Sequence, residues 1–298
     1  MSCSFPLQAF QCADGSVVFS ERRGRDVVRS ISLPCGQCTR CRLERSRQWA
    51  MRCLHEAQLS ADNCFLTLTY RDEDLPERGQ LKYEDFQLFM KRYRKAVSPV
   101  RPRFYMCGEY GEKDSRPHYH ACIFGHDFKD RTPWKKTGSG SIIYRSAMLE
   151  SLWKFGHSSI GELNFLTAGY VARYCMKKVT GRGAYEHYLR VDADTGELYS
   201  MVPEFTHMSL KPGIGARWFS KFLSDVFPGD YCVVNGKKVR PPKFYDRKYA
   251  ADHPEEFESI QWQRELDAAV HAADNTPERL AVKEICADAN VRRLLRSL

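Results

Sequence analysis

The chain has 298 residues, of which 43% are hydrophobic and 12% aromatic, as expected of a folded protein with a sizeable core. It contains no apolar run of roughly 18 residues and no basic-then-apolar leader, so the sequence predicts a cytoplasmic protein without a membrane span. The net charge of +9 is unevenly distributed, because residues 1–250 carry 40 Lys and Arg against 27 Asp and Glu, a net charge of +13. A basic body of this kind attracts the phosphates of nucleic acids.

The predicted elements alternate between strands and helices. In chain order we expect a helix over 42–60, a strand over 63–70, a helix over 83–97, two strands over 103–110 and 118–125, a short helix capped by Ser146, a strand over 157–163, and a helix from Asn164 to about Val179. Up to the last helix, this order is the ferredoxin-like pattern of an antiparallel sheet with helices on one face. The predicted fold class is therefore α+β.

The remainder of the chain has a different character. Asn235-Gly236 separates two short strand-like runs and predicts a type I′ hairpin. From Asp252 onward the sequence predicts two acidic helices, broken near Pro277. We therefore expect three regions: a Cys- and Arg-rich N-terminal segment over 1–60, a central domain with a hairpin extension over 61–250, and an acidic helical tail over 251–298.

Two histidines and a carboxylate form the first candidate site. On a strand, side chains at i and i+2 share one face, so His118 and His120 present two imidazoles together. If the hairpin pairs Glu109 opposite His118, the carboxylate reaches the same face; Glu112, in the turn, is the alternative acid. Two imidazoles and one carboxylate with open positions suit Mg²⁺ or Mn²⁺ bound to a substrate phosphate. Taken alone, the His-x-His pattern also fits two histidines on a solvated strand.

Two tyrosines form the second candidate site. Tyr170 and Tyr174 are spaced i, i+4 and share one helix face, and Lys177 lies close enough to favour a phenolate or to hold a phosphate. A phenol can attack a phosphodiester and form a covalent tyrosyl phosphate. Taken alone, the same spacing also fits an aromatic stripe in a core.

A cysteine cluster and several arginines complete the set. Cys35, Cys38 and Cys41 are spaced as metal ligands, with the fourth ligand supplied by one of Cys3, Cys12, Cys53 or His55. Structural Zn²⁺, an iron–sulfur cluster and three reduced cysteines before a helix all stay open.

The basic side chains allow two interpretations. Arg42, Arg45, Arg173 and Lys178 are candidate DNA contacts, although arginines such as the first two also fit a solvated helix face. The loop over 211–215 predicts either a phosphate-binding loop or an ordinary turn before a helix over 217–227.

Three motifs in this order resemble those of HUH-type rolling-circle replication initiators: Phe65–Tyr70, His118-Tyr119-His120 and Tyr170–Lys178. The two-tyrosine form is similar to the initiators of microviruses, which are small single-stranded DNA phages. Three further segments resemble the gokushovirus branch in particular: Cys35–Ser46, Met208–Gly215 and Arg240–Tyr245. The resemblance extends over residues 30–250 and leaves the acidic tail unassigned.

The resemblance implies a metal-dependent endonuclease of the HUH fold that joins strands as well as cutting them. One tyrosine attacks and keeps the 5′ phosphate, and the freed 3′ hydroxyl primes synthesis. The second tyrosine then attacks the regenerated site, and strand transfer closes a circle. The implied partners are single-stranded DNA, the viral origin, and the host helicase and polymerase.

Two alternatives stay open. One is a non-enzymatic protein that binds single-stranded nucleic acid and has a zinc-stabilised N-terminus. The other is an HUH relaxase or transposase. The combination of His118, His120 and Glu109 with two tyrosines favours an enzyme, because a binding protein does not need that set. The paired tyrosines and the gokushovirus-like flanks argue against a relaxase.

Overall fold

The computed structural model of the protein describes residues 3–20, 26–111, 114–138, 140–173, 178–179, 183–192 and 194–295. These residues form two compact units, one of Met1–Glu44 with Glu258–Leu298 and one of Arg45–Phe257. The larger unit contains the predicted histidine and glutamate ligands, and the smaller contains the cysteine motif.

The strands within the described ranges are β1 Leu7–Cys12, β2 Val17–Val18, β3 Val27–Leu33, β4 Asn63–Tyr70, β5 Arg103–Tyr110, β6 Pro117–Phe124, β7 Thr132–Lys136, β8 Ile142–Arg145, β9 Gly156–Gly161, β10 Leu189–Val191, β11 Leu198–Ser200, β12 Phe205–Met208, β13 Cys232–Val234 and β14 Lys237–Val239. The α-helices are α1 Thr39–Ala57, α2 Tyr83–Ala96, α3 Ala147–Leu152, α4 Phe165–Arg173, α5 Ala184–Tyr188, α6 Ala216–Lys221, α7 Leu223–Val226, α8 Lys243–Asp252, α9 Pro254–Val270 and α10 Pro277–Leu295. None of these helices combines the length and the hydropathy needed to cross a bilayer.

One seven-stranded antiparallel sheet dominates the larger unit. Its strand order is β12-β5-β6-β4-β9-β8-β7, and the four central strands β5-β6-β4-β9 have the ferredoxin-like order. The α+β prediction is confirmed. In β4 every second residue is buried, which separates Leu66, Leu68 and Tyr70 on one face from Phe65 and Thr67 on the other.

The two faces of this sheet are covered by different helices. The connecting helices α2 and α3 pack on one face, where Phe86, Phe89 and Trp153 belong to the main hydrophobic core. The flanking helices α1 and α4 cover the opposite face, where Cys53 packs in one cluster with Val171. The core therefore fixes the sheet from one side and leaves the strand ends on the other side for chemistry.

Several predictions of local structure are confirmed. The side chain of Ser146 accepts a hydrogen bond from the Leu149 N–H at the start of α3, and Asn164 Oδ1 accepts one from the Thr167 N–H at the start of α4. Asn235 and Gly236 have φ of 50° and 74°, as a type I′ turn between β13 and β14 requires.

Short or polar strands were not predicted. The segment expected to be a loop after β6 contains the hairpin β7–β8, and β7 is exposed along its whole length. Strand β12 extends the opposite edge of the sheet by pairing with β5. Neither strand is long and half-buried, so neither produces the alternating pattern that identified β4. The helix expected over 217–227 is divided into α6 and α7.

The smaller unit combines a three-stranded sheet with acidic helices. Strand β1 pairs with β2 and β3, and the break between α9 and α10 falls before Pro277, as predicted. The Thr39 N–H and hydroxyl donate to Glu284 and Asp288 of α10, at distances of 2.6 and 2.5 Å. Carboxylates at a helix N-terminus satisfy free N–H groups and oppose the helix dipole favourably. The acidic helix α10 thus stabilises the first turn of α1.

We predict that Trp153→Ala destabilises the protein by about 3–5 kcal/mol, because it leaves a large cavity in the core. The Trp153 ring is fully buried, packs edge-on against Tyr70 at 5.4 Å, and donates its Nε1–H to the Thr69 carbonyl in β4. Urea unfolding measures the free energy. The matched control, Trp134→Ala, removes an exposed ring and should change it by less than about 0.5 kcal/mol. Equal losses in the two variants would contradict the assignment of Trp153 to the core.

Candidate active site

The register of the β5–β6 hairpin brings the predicted metal ligands to one face. Glu109 pairs directly with His118, which is the pairing that the sequence interpretation required. Because His120 lies two residues farther along β6, its side chain shares that face. Glu109 is 3% exposed and His120 6% exposed, so both polar side chains are almost withdrawn from water.

A chain of hydrogen bonds holds the His120 ring. Its Nε2 lies 2.9 Å from Glu109 Oε1, and its Nδ1 lies 3.0 Å from the hydroxyl of Thr67 on β4. A hydroxyl can donate or accept, so the Thr67 contact is compatible with either neutral tautomer. When Nε2 serves as a metal ligand, Nδ1 carries the proton and donates it to Thr67. The sequence analysis did not identify Thr67, because its contact depends on the pairing of Thr67 with His120 across β4 and β6.

His118 has the properties of a neutral ligand. Burial lowers its pKa, and the nearby His120 lowers it further. Its buried Nδ1 has no hydrogen-bond partner among the described residues. Gly111 allows this ring to come close, because a Cβ there would lie 2.9 Å from His118 Nε2. Sequence analysis did not single out Gly111, which it treated only as part of the turn.

Tyr170 projects from α4 toward these histidines. Its ring meets the His120 ring edge-on, with 5.2 Å between the centroids, and meets Phe65 at 6.2 Å. Phe65 in turn stacks on His120 at 5.6 Å. Because Val171 and Ala172 are completely buried under the sheet, α4 is anchored with the half-buried Tyr170 beside the histidine site.

Several other candidates cannot be located in this way. Tyr174, Lys177 and the alternative acid Glu112 lie outside the described residues, as does the side chain of Arg173. Lys178 is described and exposed.

The donor set at this site fits a hard divalent cation better than a closed zinc site. It offers two imidazoles and one carboxylate, with the His118–His120 ring centroids 6.2 Å apart. The hydrogen bond between Glu109 and His120 joins two groups that a bound ion would share. The buried, unpartnered Nδ1 of the neutral His118 ring adds a further donor with a free lone pair. We therefore regard the three residues as compatible with Mg²⁺ or Mn²⁺.

A second cluster of ligand atoms lies in the smaller unit. The Sγ atoms of Cys3, Cys35, Cys38 and Cys41 all lie within 4.8 Å of one another, so the cluster can hold a structural metal. The fourth position, left open by the sequence, is thus taken by Cys3.

The other candidates for the fourth position have different partners. The His55 ring stacks on Trp218, with its Nδ1 2.9 Å from the Tyr245 hydroxyl, and burial lowers the pKa of His55 to about 3. Cys53 packs in the core next to Cys122.

The arginines of α1 have mixed roles. Arg45 is exposed and Arg42 half-buried. Arg47 donates to the Arg240 carbonyl, and Arg52 lies between the rings of Trp49 and Phe244, 3.9 Å from each centroid. The last two arginines are therefore committed to packing within the protein.

The loop over 211–215 is held by the protein's own carboxylate. The Gly215 N–H donates to Glu56 Oε2 at 2.7 Å, and Glu56 Oε1 also pairs with Arg103 and Arg217. Gly215 has φ of 78° and approaches Tyr245 too closely for a Cβ. Of the two interpretations of this loop, the structure supports the structural turn, since Glu56 occupies the position at Gly215 that a phosphate would take.

Comparison with known proteins places this geometry in a family. Residues 63–179, which contain the hairpin and α4, match a family model of replication-associated proteins, that of the replication-associated protein ORF2. No solved structure matches the chain.

Three phage proteins match most of the chain. It is 34% identical to replication-associated protein VP4 of Bdellovibrio phage phiMH2K, over 86% of the chain and 80% of that protein. It is 29% identical to replication-associated protein ORF2 of Spiroplasma virus 4, over 86% of the chain and 83% of that protein. Identity to replication-associated protein ORF4 of Chlamydia phage 1 is also 29%, over 72% of the chain and 53% of that protein. The chain therefore belongs to the family of phage replication-associated proteins.

Proposed function

We propose that the protein initiates rolling-circle replication by cutting one DNA strand through a tyrosine nucleophile. The observation that carries this proposal is the Tyr170 ring, 5.2 Å from His120 within a group that also contains Glu109 and His118. Membership in a family of replication-associated proteins supports the same conclusion. A phenol beside an acid and two imidazoles is the arrangement that nucleophilic phosphoryl transfer needs.

In the cutting step, the tyrosine oxygen attacks the scissile phosphorus and the bond from phosphorus to the 3′ oxygen breaks. The phenol proton is released, and the leaving 3′ oxygen takes up a proton. The products are a 5′-phosphotyrosyl ester and a free 3′ hydroxyl. The chemistry that Mg²⁺ or Mn²⁺ would supply at Glu109, His118 and His120 is polarisation of the phosphate oxygens.

The joining step reverses these bond changes. A 3′ hydroxyl attacks the phosphotyrosyl phosphorus, and the tyrosine leaves with a proton. A protein that must cut again before it joins needs a second phenol, and Tyr174 is spaced to share a helix face with Tyr170. Lys177, one turn from the position of Tyr174 in the sequence, would favour a phenolate.

The proposed substrate is single-stranded DNA at the viral origin, with host helicase and polymerase as partners in the host cytoplasm. The net charge of +13 over residues 1–250 favours contact with DNA phosphates, and Arg42, Arg45, Arg173 and Lys178 are the proposed contacts. A protein that only binds single strands would not require the tyrosine–histidine arrangement, and the activity assays below separate the two functions.

We predict that Tyr170→Phe together with Tyr174→Phe abolishes the covalent adduct, because neither ring keeps a nucleophilic oxygen. The assay is denaturing electrophoresis after incubation with Mn²⁺ and an origin oligonucleotide labelled 3′ of the cut, so that the label stays on the 5′-phosphate fragment. Tyr185→Phe is the matched control, since Tyr185 is exposed on α5 and should form the adduct normally. An adduct that persists in the double variant would refute the nucleophile assignment.

We predict that His118→Ala and Glu109→Gln each lose cleavage while single-strand binding is largely kept, because the donor set becomes incomplete. The loss should exceed the roughly 100-fold effect typical of outer-shell residues. Cleavage rates and fluorescence anisotropy measure the two properties separately. His271→Ala, which removes an exposed histidine in the smaller unit, serves as the control. Wild-type protein that binds the origin without ever cutting it would favour the binding protein.

We predict that Thr67→Val slows cleavage by about 10–100-fold and raises the Mn²⁺ concentration needed for half-maximal rate. The substitution keeps the shape of the side chain but removes the hydroxyl that contacts His120 Nδ1. Thr67→Ser should restore most of the activity, because it retains that hydroxyl. If valine and serine variants behave alike, Thr67 does not position the ring.

A further inference from the structure

The cysteine cluster is built from two separate segments of chain. Cys35, Cys38 and Cys41 lie on the turn that leads into α1, whereas Cys3 comes from the N-terminal segment before β1. Their sulfurs lie within 4.8 Å of one another, and Cys3, Cys38 and Cys41 are at most 9% exposed. Four soft ligand atoms are therefore gathered at one point by residues distant in sequence.

These cysteines do not pack as ordinary small hydrophobes. The apolar cluster that contains them consists of the same four cysteines and no other described residue. By contrast, Cys64 packs among the leucines and aromatics of the main core, and Cys53 packs with alanine, valine and isoleucine side chains. A thiol buried for its apolar character has apolar neighbours, so the isolation of this cluster indicates another purpose.

Backbone N–H groups point at the sulfurs. The Cys35 N–H donates to Cys3 Sγ at 3.2 Å, and the N–H groups of Gln37 and Cys38 donate to Cys35 Sγ at 3.5 and 3.3 Å. Cys38 Sγ accepts from the N–H groups of Ser4 and Cys41, both at 3.4 Å. A neutral thiol is a weak acceptor, whereas hydrogen bonds to a charged group are stronger. Five such bonds therefore stabilise thiolates, the form in which cysteine binds a metal.

We propose that Cys3, Cys35, Cys38 and Cys41 bind one structural Zn²⁺ ion. A tetrahedral site with Zn–S bonds of about 2.3 Å places its sulfurs roughly 3.8 Å apart, within the spacing observed here. An iron–sulfur cluster inserts several atoms between its cysteines and holds their sulfurs farther apart. With four protein ligands, the site has no open position for a substrate, so its role is structural.

The ion would stabilise a unit that has little core of its own. Strand β3 has no buried residue, and β1 contributes only Ala9 and Cys12. A three-stranded sheet with so little burial needs an additional constraint. Zinc would join the segment before β1 to the start of α1, whose Thr39 is already capped by α10. This inference does not depend on the nuclease activity.

The test begins with the full-length protein purified anaerobically, its metal content measured by mass spectrometry of the elements. We predict one zinc per chain, no stoichiometric iron, and four cysteines protected from alkylation until a strong chelator removes the metal. Chelation should also make residues 3–41 more accessible to limited proteolysis. Absence of zinc, one iron per chain, or disulfides between these cysteines would each overturn the proposal.

Variants then assign the ligands. Cys38→Ser should lower the zinc content at least tenfold, and Cys3→Ser should do so if the N-terminal segment completes the site. Cys286→Ser, at an exposed position, and Cys12→Ser, at a buried position outside the cluster, should both retain one zinc per chain. Should Cys38→Ser not fold, the zinc content and alkylation of the wild-type protein still decide the question. Full zinc content in a soluble Cys3→Ser variant would contradict the proposed ligand set.

Discussion

The pairing of Glu109 with His118 across β5 and β6 is the constraint on which the rest of the site depends. Side chains alternate between the two faces of a strand, so a shift of one residue would turn the histidines into the core. The neighbouring strand fixes the same register independently, because Thr67 pairs with His120 on β6 and contacts its ring. One hairpin thus sets which polar groups meet, and the buried face beneath it holds that register in place.

The sheet divides its work between its two faces. The face under α2 and α3 is filled with large aromatic and aliphatic side chains, and it supplies stability. The opposite face is lined near α4 by smaller residues, among them Cys107 and Ala168, which allow the helix to lie close to the strands. That closeness brings Tyr170 to the histidines. Positioning by rigid elements, rather than by a loop, suits a reaction in which small displacements of the nucleophile cost rate.

Sequence patterns predicted the parts of the molecule that have a strong local signal. The bounds of β4 and β5 follow from alternating burial, and the register of the β5–β6 hairpin follows from its short turn. The contact between Thr67 and His120 could not be predicted, since it depends on pairing across 53 residues. The same applies to Cys3, which lies 32 residues from Cys35 and had three competitors for its position. The exposed strand β7 carried no pattern at all.

The most direct test of the central claim is to identify the amino acid that carries DNA after cleavage. Wild-type protein is incubated with an origin oligonucleotide and Mn²⁺, digested with protease and nuclease, and the nucleotide-bearing peptide is sequenced by mass spectrometry. The account predicts the modification on Tyr170 or Tyr174, within the peptide that continues α4. A nucleotide attached to any residue outside that segment would contradict it.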